Sequence, residues 1–247
     1  MKNHFFFAYF GNKRNEVETI LEGIDLDKYD TIVEPYCGSC ALSYYISTIT
    51  TGKKYVLNDL DANLIKLLSL SPDEIDELQD KIDAFSVDMT KEKYTDLMKE
   101  KTFFAYVYSN MYYKIRPGLY DIDRTKYDKK LKSCPIYNFL QNNDITLYNK
   151  DAIDVIREYE GRKDVLLLLD PPYMECSKSY TNDYKLNDTN NIYNLVLTNQ
   201  VYTPYLLIIE YNWVLSLVHV QPKKVYDKTY NTKSRKKCVH AIYSNIE

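Results

Sequence analysis

With 247 residues, 45% of them hydrophobic and 27% charged, the chain is long enough to bury a sizeable core in one large domain, or in one domain carrying an insertion. Its formal net charge of −3 excludes nucleic-acid binding through overall basicity, so any such partner must be met by local basic surface. The 26 tyrosines accompany many Asn, Lys and Ile and are read as codon bias of an A/T-rich genome before they are read as function.

From the N-terminus, MKNHFFFAYFGNK has an apolar run too short for a secretory signal and lacks a small-residue cleavage site. No stretch approaches a membrane span. The five cysteines, an odd number, argue against a disulfide framework, so an intracellular, non-secreted protein with reduced thiols is expected. Thr31–Val33 is predicted as the first buried strand, Ala41–Ile49 as the helix after it and Tyr55–Leu57 as the second strand. The interval from about 61 to 143 then breaks the alternation. Ser71-Pro72-Asp73-Glu74 reads as a helix start, with an N-cap serine, proline at the first helical position and acidic residues near the positive end of the macrodipole. Helices are predicted over Asp73–Phe85 and Lys91–Val107, followed by the basic, aromatic, turn-rich SNMYYKIRPGLYDIDRTKYDKKLK. Pro, Gly and Ser are too sparse for a linker, so the interval is expected to be a helical subdomain inserted into the sheet domain. Beyond it come strands at Ile145–Tyr148, Val165–Leu169, Tyr205–Ile209 and Cys238–Tyr243, with helices at Ala152–Tyr159 and Asn190–Asn199. Strands alternating with helices point to an α/β sheet with helices on its faces.

Cys37-Gly38-Ser39-Cys40, between the first strand and its helix, admits three readings. A papain-like nucleophile would need a histidine roughly 130–150 residues downstream, and His4, His219 and His240 all miss that window. A dithiol redox pair at a helix N-terminus would have activated thiols, but a thioredoxin-like domain is much smaller than this chain. The third reading is a tight glycine turn where backbone closes on a ligand. The most distinctive feature lies farther along: Asp170-Pro171-Pro172-Tyr173 follows the apolar run VLLLL directly. Two prolines cannot continue a central strand, so the strand ends there and presents a carboxylate, stiff backbone and a ring at the carboxyl edge, where open α/β sheets bind ligands.

DPPY resembles the catalytic signature of amino-group DNA methyltransferases. The order of motifs, with Ala8-Tyr9-Phe10-Gly11-Asn12-Lys13 first, EPYCGSC next, Asn58-Asp59 after the second strand, then a large insertion and DPPY late, is similar to that of Dam-like adenine methyltransferases, and a viral or phage member of that family is expected. The resemblance covers most of the chain. It implies a Rossmann-like, doubly wound, mixed seven-stranded sheet with an inserted, mainly helical DNA-recognition subdomain, divided as 1–60 with 144–247 for catalysis and 61–143 for target recognition.

The cofactor implied is S-adenosylmethionine, without a metal. The residues implied to hold it are Tyr9, Gly11 and Lys13 of the first motif, Glu34, Pro35, Tyr36 and Gly38 of the loop, and Asp59, Asp151 and Asp170. Gly38 would let the backbone approach the methionine portion, with the helix N-terminus facing its carboxylate. Asp59, preferred to Asp61 for its place at the strand end, would accept from the ribose hydroxyls. Asp151 would lie near the cofactor adenine, or serve equally as the N-cap of the helix after it. Asp170 and the Pro171 carbonyl would accept the two hydrogens of a target amine, Pro172 would stiffen the edge, and Tyr173 would stack on a base flipped from double-stranded DNA. DNA contact is implied for Asn110, Lys114, Arg116, Tyr120, Arg124 and Lys126. Lys233 to Lys237 reads as a solvated hairpin before it reads as a phosphate contact. A cognate restriction endonuclease is a partner the resemblance allows, and the setting it implies is the DNA-containing cytoplasm of a bacterial host or a viral factory. Cys40 stands where the family's loop has its second glycine, and MECSKSYTNDY after DPPY matches only loosely. The competing expectation is a methyltransferase-fold DNA-binding protein with weakened catalysis.

Overall fold

The computed structural model describes residues 12–87, 90–112, 131–172, 195, 200–211, 221–229 and 237–246. In chain order its elements are α1 (Val17–Leu21), β1 (Thr31–Glu34), α2 (Ala41–Ile49), β2 (Lys54–Asn58), α3 (Ala62–Leu68), α4 (Pro72–Ser86), α5 (Lys91–Glu100), α6 (Phe103–Tyr112), α7 (Pro135–Asn142), β3 (Asp144–Tyr148), α8 (Ala152–Glu158), β4 (Val165–Leu169), β5 (Tyr205–Glu210), β6 (Lys224–Thr229) and β7 (Lys237–Ser244). They divide into two compact units, a helical one containing Ala62–Asn142 and a sheet unit of Lys13–Asp61 with Asn143–Glu247.

The sheet is mixed, with seven strands in the order β3-β2-β1-β4-β5-β7-β6. The first five run parallel, and β7 lies antiparallel between β5 and β6. Every residue of β1 and of β4 is buried, as expected of central parallel strands covered on both faces, which read as continuous apolar runs instead of alternating ones. Val33, Leu167, Leu169, Leu207, Ile209 and Tyr243 share a core with Val155 and Ile156 of α8. The strand order runs one way from β1 through β2 to β3 and the other way through β4 and β5. The switch point therefore falls between β1 and β4, and the crevice outside their carboxyl ends is where such sheets bind ligands.

In the helical unit, α4 starts as its sequence predicts. Ser71 Oγ accepts from the Glu74 amide at 3.3 Å and Glu74 Oε2 from the Ser71 amide at 2.8 Å, a complete capping box ahead of Pro72. The single helix expected over Lys91–Val107 is instead two. Lys101 adopts a left-handed conformation (φ 53°) that ends α5, and the Thr102 hydroxyl accepts from the Ala105 amide at 3.2 Å to start α6; periodicity carried across that break because both helices bury apolar residues. Phe85, Phe104 and Tyr108 pack edge to face or tilted, and the buried Gln79 side chain accepts from the Leu131 amide at 2.8 Å. The edge strand β6 escaped the sequence reading, because its exposed and half-buried residues lack the apolar run of a central strand. The helix expected over Asn190–Asn199 lies outside the described residues except for Leu195.

Candidate active site at the carboxyl edge of the sheet

Four loops meet at the carboxyl ends of β1, β2, β3 and β4. The first, Pro35 to Cys40, turns sharply on Gly38 (φ 46°), and Cys40 also adopts a left-handed conformation (φ 53°) as the N-cap residue of α2. A residue with a Cβ carries a penalty of roughly 1–2 kcal/mol in that region. Cys40 thus follows the backbone path a second glycine would take. Its side chain is 0% exposed, so packing offsets the strain.

Asn58, at the end of β2, ties the loops together. Its Nδ2 donates to the Pro35 carbonyl at 2.8 Å and to the Lys150 carbonyl at 3.1 Å, its Oδ1 accepts from the Lys150 amide at 2.9 Å, and its own carbonyl accepts from the Cys37 amide at 2.7 Å. Asp59 continues the clasp: Oδ2 accepts from the Gly38 amide and Oδ1 from the Asp61 amide, both at 3.0 Å. Burial pushes the Asp59 pKa up to about 6 against the pull of these amides.

Glu34, the last residue of β1, is buried. Its Oε1 accepts from the Ser43 amide at 2.9 Å, while its Oε2 and the Ser43 hydroxyl are buried without a hydrogen-bond partner. Burial raises its pKa to about 8, opposed by the Ser43 hydrogen bonding and reinforced by the charge of Asp170.

Asp170 follows β4 directly, before the buried Pro171 and half-buried Pro172. The Lys13 ammonium, 4% exposed, lies 2.5 Å from Asp170 Oδ2, whose side chain is 21% exposed. A lysine 157 positions earlier in the sequence thus holds the carboxylate of the DPPY segment, a contact that no sequence spacing announces.

Cys37 and Cys40 are free buried thiols. Burial pushes Cys37 well up; for Cys40 the hydrogen bond with Cys37 pulls down, but burial and the Glu34 and Asp59 charges outweigh it. A redox pair needs an exposed, readily ionised thiol, so this geometry opposes the dithiol reading.

The structure thus brings Lys13, Glu34, Pro35, Tyr36, Gly38, Asp59, Asp170, Pro171 and Pro172 to one edge of one unit. Asp151 is exposed and accepts from the Ile153 amide at 2.7 Å, capping α8. Tyr9, Gly11, Lys114, Arg116, Tyr120, Arg124, Lys126 and Tyr173 lie outside the described residues, as do Lys233 to Lys236, and Asn110 is described only as part of α6. Asn58 and Ser43 were not singled out as site residues. The available signal for Asn58 was a polar residue extending the apolar strand Tyr55–Leu57 into the core; Ser43 had none.

The D12 class N6 adenine-specific DNA methyltransferase model matches residues 9–196. This chain belongs to that family. The D12 match spans the loop, the insertion and DPPY in one continuous segment, and the methyl donor of such an enzyme is S-adenosylmethionine. Among solved structures, the D12 chain is similar to the N-terminal domain of human METTL16 in complex with SAH (TM-score 0.39, 10% identity, 94% of this chain and 68% of that one). It is also similar to human methyltransferase 10 domain containing protein (TM-score 0.41, 12% identity, 96% and 81%) and to the putative methyltransferase yhhF from Escherichia coli (TM-score 0.34, 11% identity, 94% and 84%). No curated protein matches in sequence. No described helix is long and apolar enough to cross a membrane, and no described residues group as metal ligands.

The donor set of the carboxyl edge fits S-adenosylmethionine. Asp59 and Asp170 are acidic groups suited to an ammonium and ribose hydroxyls, and Glu34 Oε2 with the Ser43 hydroxyl are buried polar atoms lacking partners. Asp59 accepts from the Gly38, Asp61 and Leu60 amides, and its two oxygens offer about four acceptor sites, which leaves one for a hydroxyl.

Proposed function

We propose that this D12 methyltransferase methylates the exocyclic N6 of an adenine flipped out of double-stranded DNA, at a specific sequence. The observation that carries the reading is the part-buried Lys13–Asp170 pair at the end of β4, beside the left-handed loop of β1 and at the switch point of the sheet. S-adenosylmethionine, when bound, supplies an electrophilic methyl group. Glu34, Pro35, Tyr36, Gly38 and Asp59 would hold it, with Tyr9 and Gly11 of the first motif and Asp151 assigned there by resemblance.

An adenine amine is a poor nucleophile because its lone pair is delocalised into the ring. Asp170 and the Pro171 carbonyl accept its two hydrogens and favour a pyramidal nitrogen whose lone pair points at the methyl carbon. Lys13 fixes the Asp170 carboxylate before the base arrives, so little reorganisation remains for the transfer itself. Pro171 and Pro172 remove backbone freedom at that edge, and Tyr173 is assigned to stacking on the flipped base, which offsets an unstacking penalty of a few kcal/mol. Phosphate and base-edge contacts are assigned to Asn110, Lys114, Arg116, Tyr120, Arg124 and Lys126, where cations alternate with rings.

Transfer of labelled methyl groups to duplex DNA, followed by methylation-sensitive sequencing, tests this. Label at adenine N6 within one sequence context, abolished by Asp170→Asn, is the expected result. Duplex binding without any transfer by the wild-type chain would favour the weakened-catalysis reading, and label on cytosine or RNA would reassign the substrate.

A further inference from the structure

A buried polar cluster behind Lys13 has no part in the site described above. In an antiparallel pair, residues two apart share a face, so the pairings Tyr226↔His240 and Lys228↔Cys238 put all four on one face of the β6–β7 hairpin. Onto that face comes Glu16, the residue preceding α1, whose side chain does not cap that helix. Its carboxylate, 6% exposed, accepts from the Tyr226 hydroxyl at 2.9 Å, lies 3.0 Å from His240 Nδ1 and faces the Lys228 ammonium. His240, 1% exposed, has its pKa pushed down to about 4, by burial first and then by the Lys13 and Lys228 charges, against Asp170 and Glu210. The neutral ring therefore donates through Nδ1–H to Glu16, leaving Nε2 toward the Cys238 thiol at 3.8 Å.

Glu16 is also bound to Lys13 through the backbone, its amide donating to the Lys13 carbonyl at 2.7 Å to close a turn. One end of that turn is thus fastened to the hairpin and the other carries the ammonium that holds Asp170 at 2.5 Å. We propose that Glu16 is a positioning residue for methyl transfer: by anchoring the Lys13 turn to the β6–β7 hairpin, it sets the Lys13 ammonium on Asp170. This rests on the methyltransferase reading of the same site. Glu16 has three hairpin partners, Tyr226, Lys228 and His240, and joins the Lys13 turn through its backbone.

The test needs one readout that does not depend on activity. In denaturant unfolding of the full chain, Lys13→Met and Asp170→Asn are expected to couple by about tenfold in the unfolding constant, and by about onefold in a Glu16→Gln background. Unchanged coupling overturns the proposal even if the protein proves inactive, whereas absent methyl transfer alone counts against the functional reading. With an active wild type, Glu16→Gln is expected to lower kcat about tenfold, since small misplacements of catalytic groups have such effects. The Glu16→Gln, Lys13→Met double variant is expected to match Lys13→Met within about twofold. A double variant lower by the full Glu16→Gln factor means that Glu16 acts independently of Lys13 and overturns the proposal. Should Glu16→Gln not fold, Tyr226→Phe removes one donor to the same carboxylate and is expected to reduce the coupling in part; no reduction overturns the idea equally.

Discussion

The carboxyl edge of the sheet and the inserted helices are held by different physics. At the edge, the buried Asn58, Glu34 and Lys13 and the half-buried Asp59 are polar groups whose partners are loop amides, loop carbonyls and a single carboxylate. In the helical unit, beside the buried Gln79–Leu131 hydrogen bond, the fastenings are mainly caps and rings: the Ser71–Glu74 box, the Thr102 cap, and Phe85 against Phe104 and Tyr108. A buried polar network ties stability to chemistry, because removing one member strands another. These cap and ring residues act on stability and are not members of that edge network. Changes at the edge should therefore move activity and folding together, and changes in the helices should separate them.

The largest test is Asp170→Ala. Methyl transfer is expected to fall by roughly 10²–10³-fold or more. Because Lys13 is buried against it, the same change strands a charge and should destabilise by about 3–5 kcal/mol in denaturant unfolding. Adding Lys13→Met should recover most of the stability and none of the rate, whereas an Asp170→Ala protein as stable as wild type would mean that the ion pair contributes little in solution.

Glu34→Gln comes next. Folding raises the Glu34 pKa from its ordinary 4.5 to about 8, so its stabilising contribution is complete below the unfolded value and is lost as pH rises toward 8. Glutamine carries no charge at any pH. Between pH 5 and pH 8 the wild type should lose about 3 kcal/mol relative to the variant, measured by unfolding at each pH. Parallel pH curves would show that the carboxyl is hydrated in solution.

Asn58→Ala should destabilise by about 2 kcal/mol, through orphaned groups on the Pro35 and Lys150 loops, and raise the KM for S-adenosylmethionine with little change in kcat. A lowered kcat with an unchanged KM would place its influence on the DPPY edge instead. The smallest effect is expected in the insertion: Ser71→Ala removes an exposed cap worth about 1 kcal/mol, and the specific activity of the folded protein should stay at the wild-type level. A large loss of activity there would dissolve the contrast between the two regions.

Much of this protein is legible in its sequence because the decisive signals are local. VLLLL followed by two prolines can only end a buried strand, Ser-Pro-Asp-Glu carries its own helix cap, and the order of AYFGNK, EPYCGSC and DPPY points to a family that the match over 9–196 establishes. Local signals also mislead where a break is conformational, as at Lys101, whose left-handed backbone divides one apparent helix into two. What only the tertiary structure decided are pairings between residues far apart in the chain: Lys13 with Asp170, Asn58 with Lys150, and Glu16 with Tyr226, Lys228 and His240. Lys13 alone reads as a solvated charge, and nothing local in Asp170 names a lysine as its partner. Burial makes their partners obligatory, since a polar group removed from water without one is costly, and which partner arrives is set by strand order and register, which no local pattern encodes.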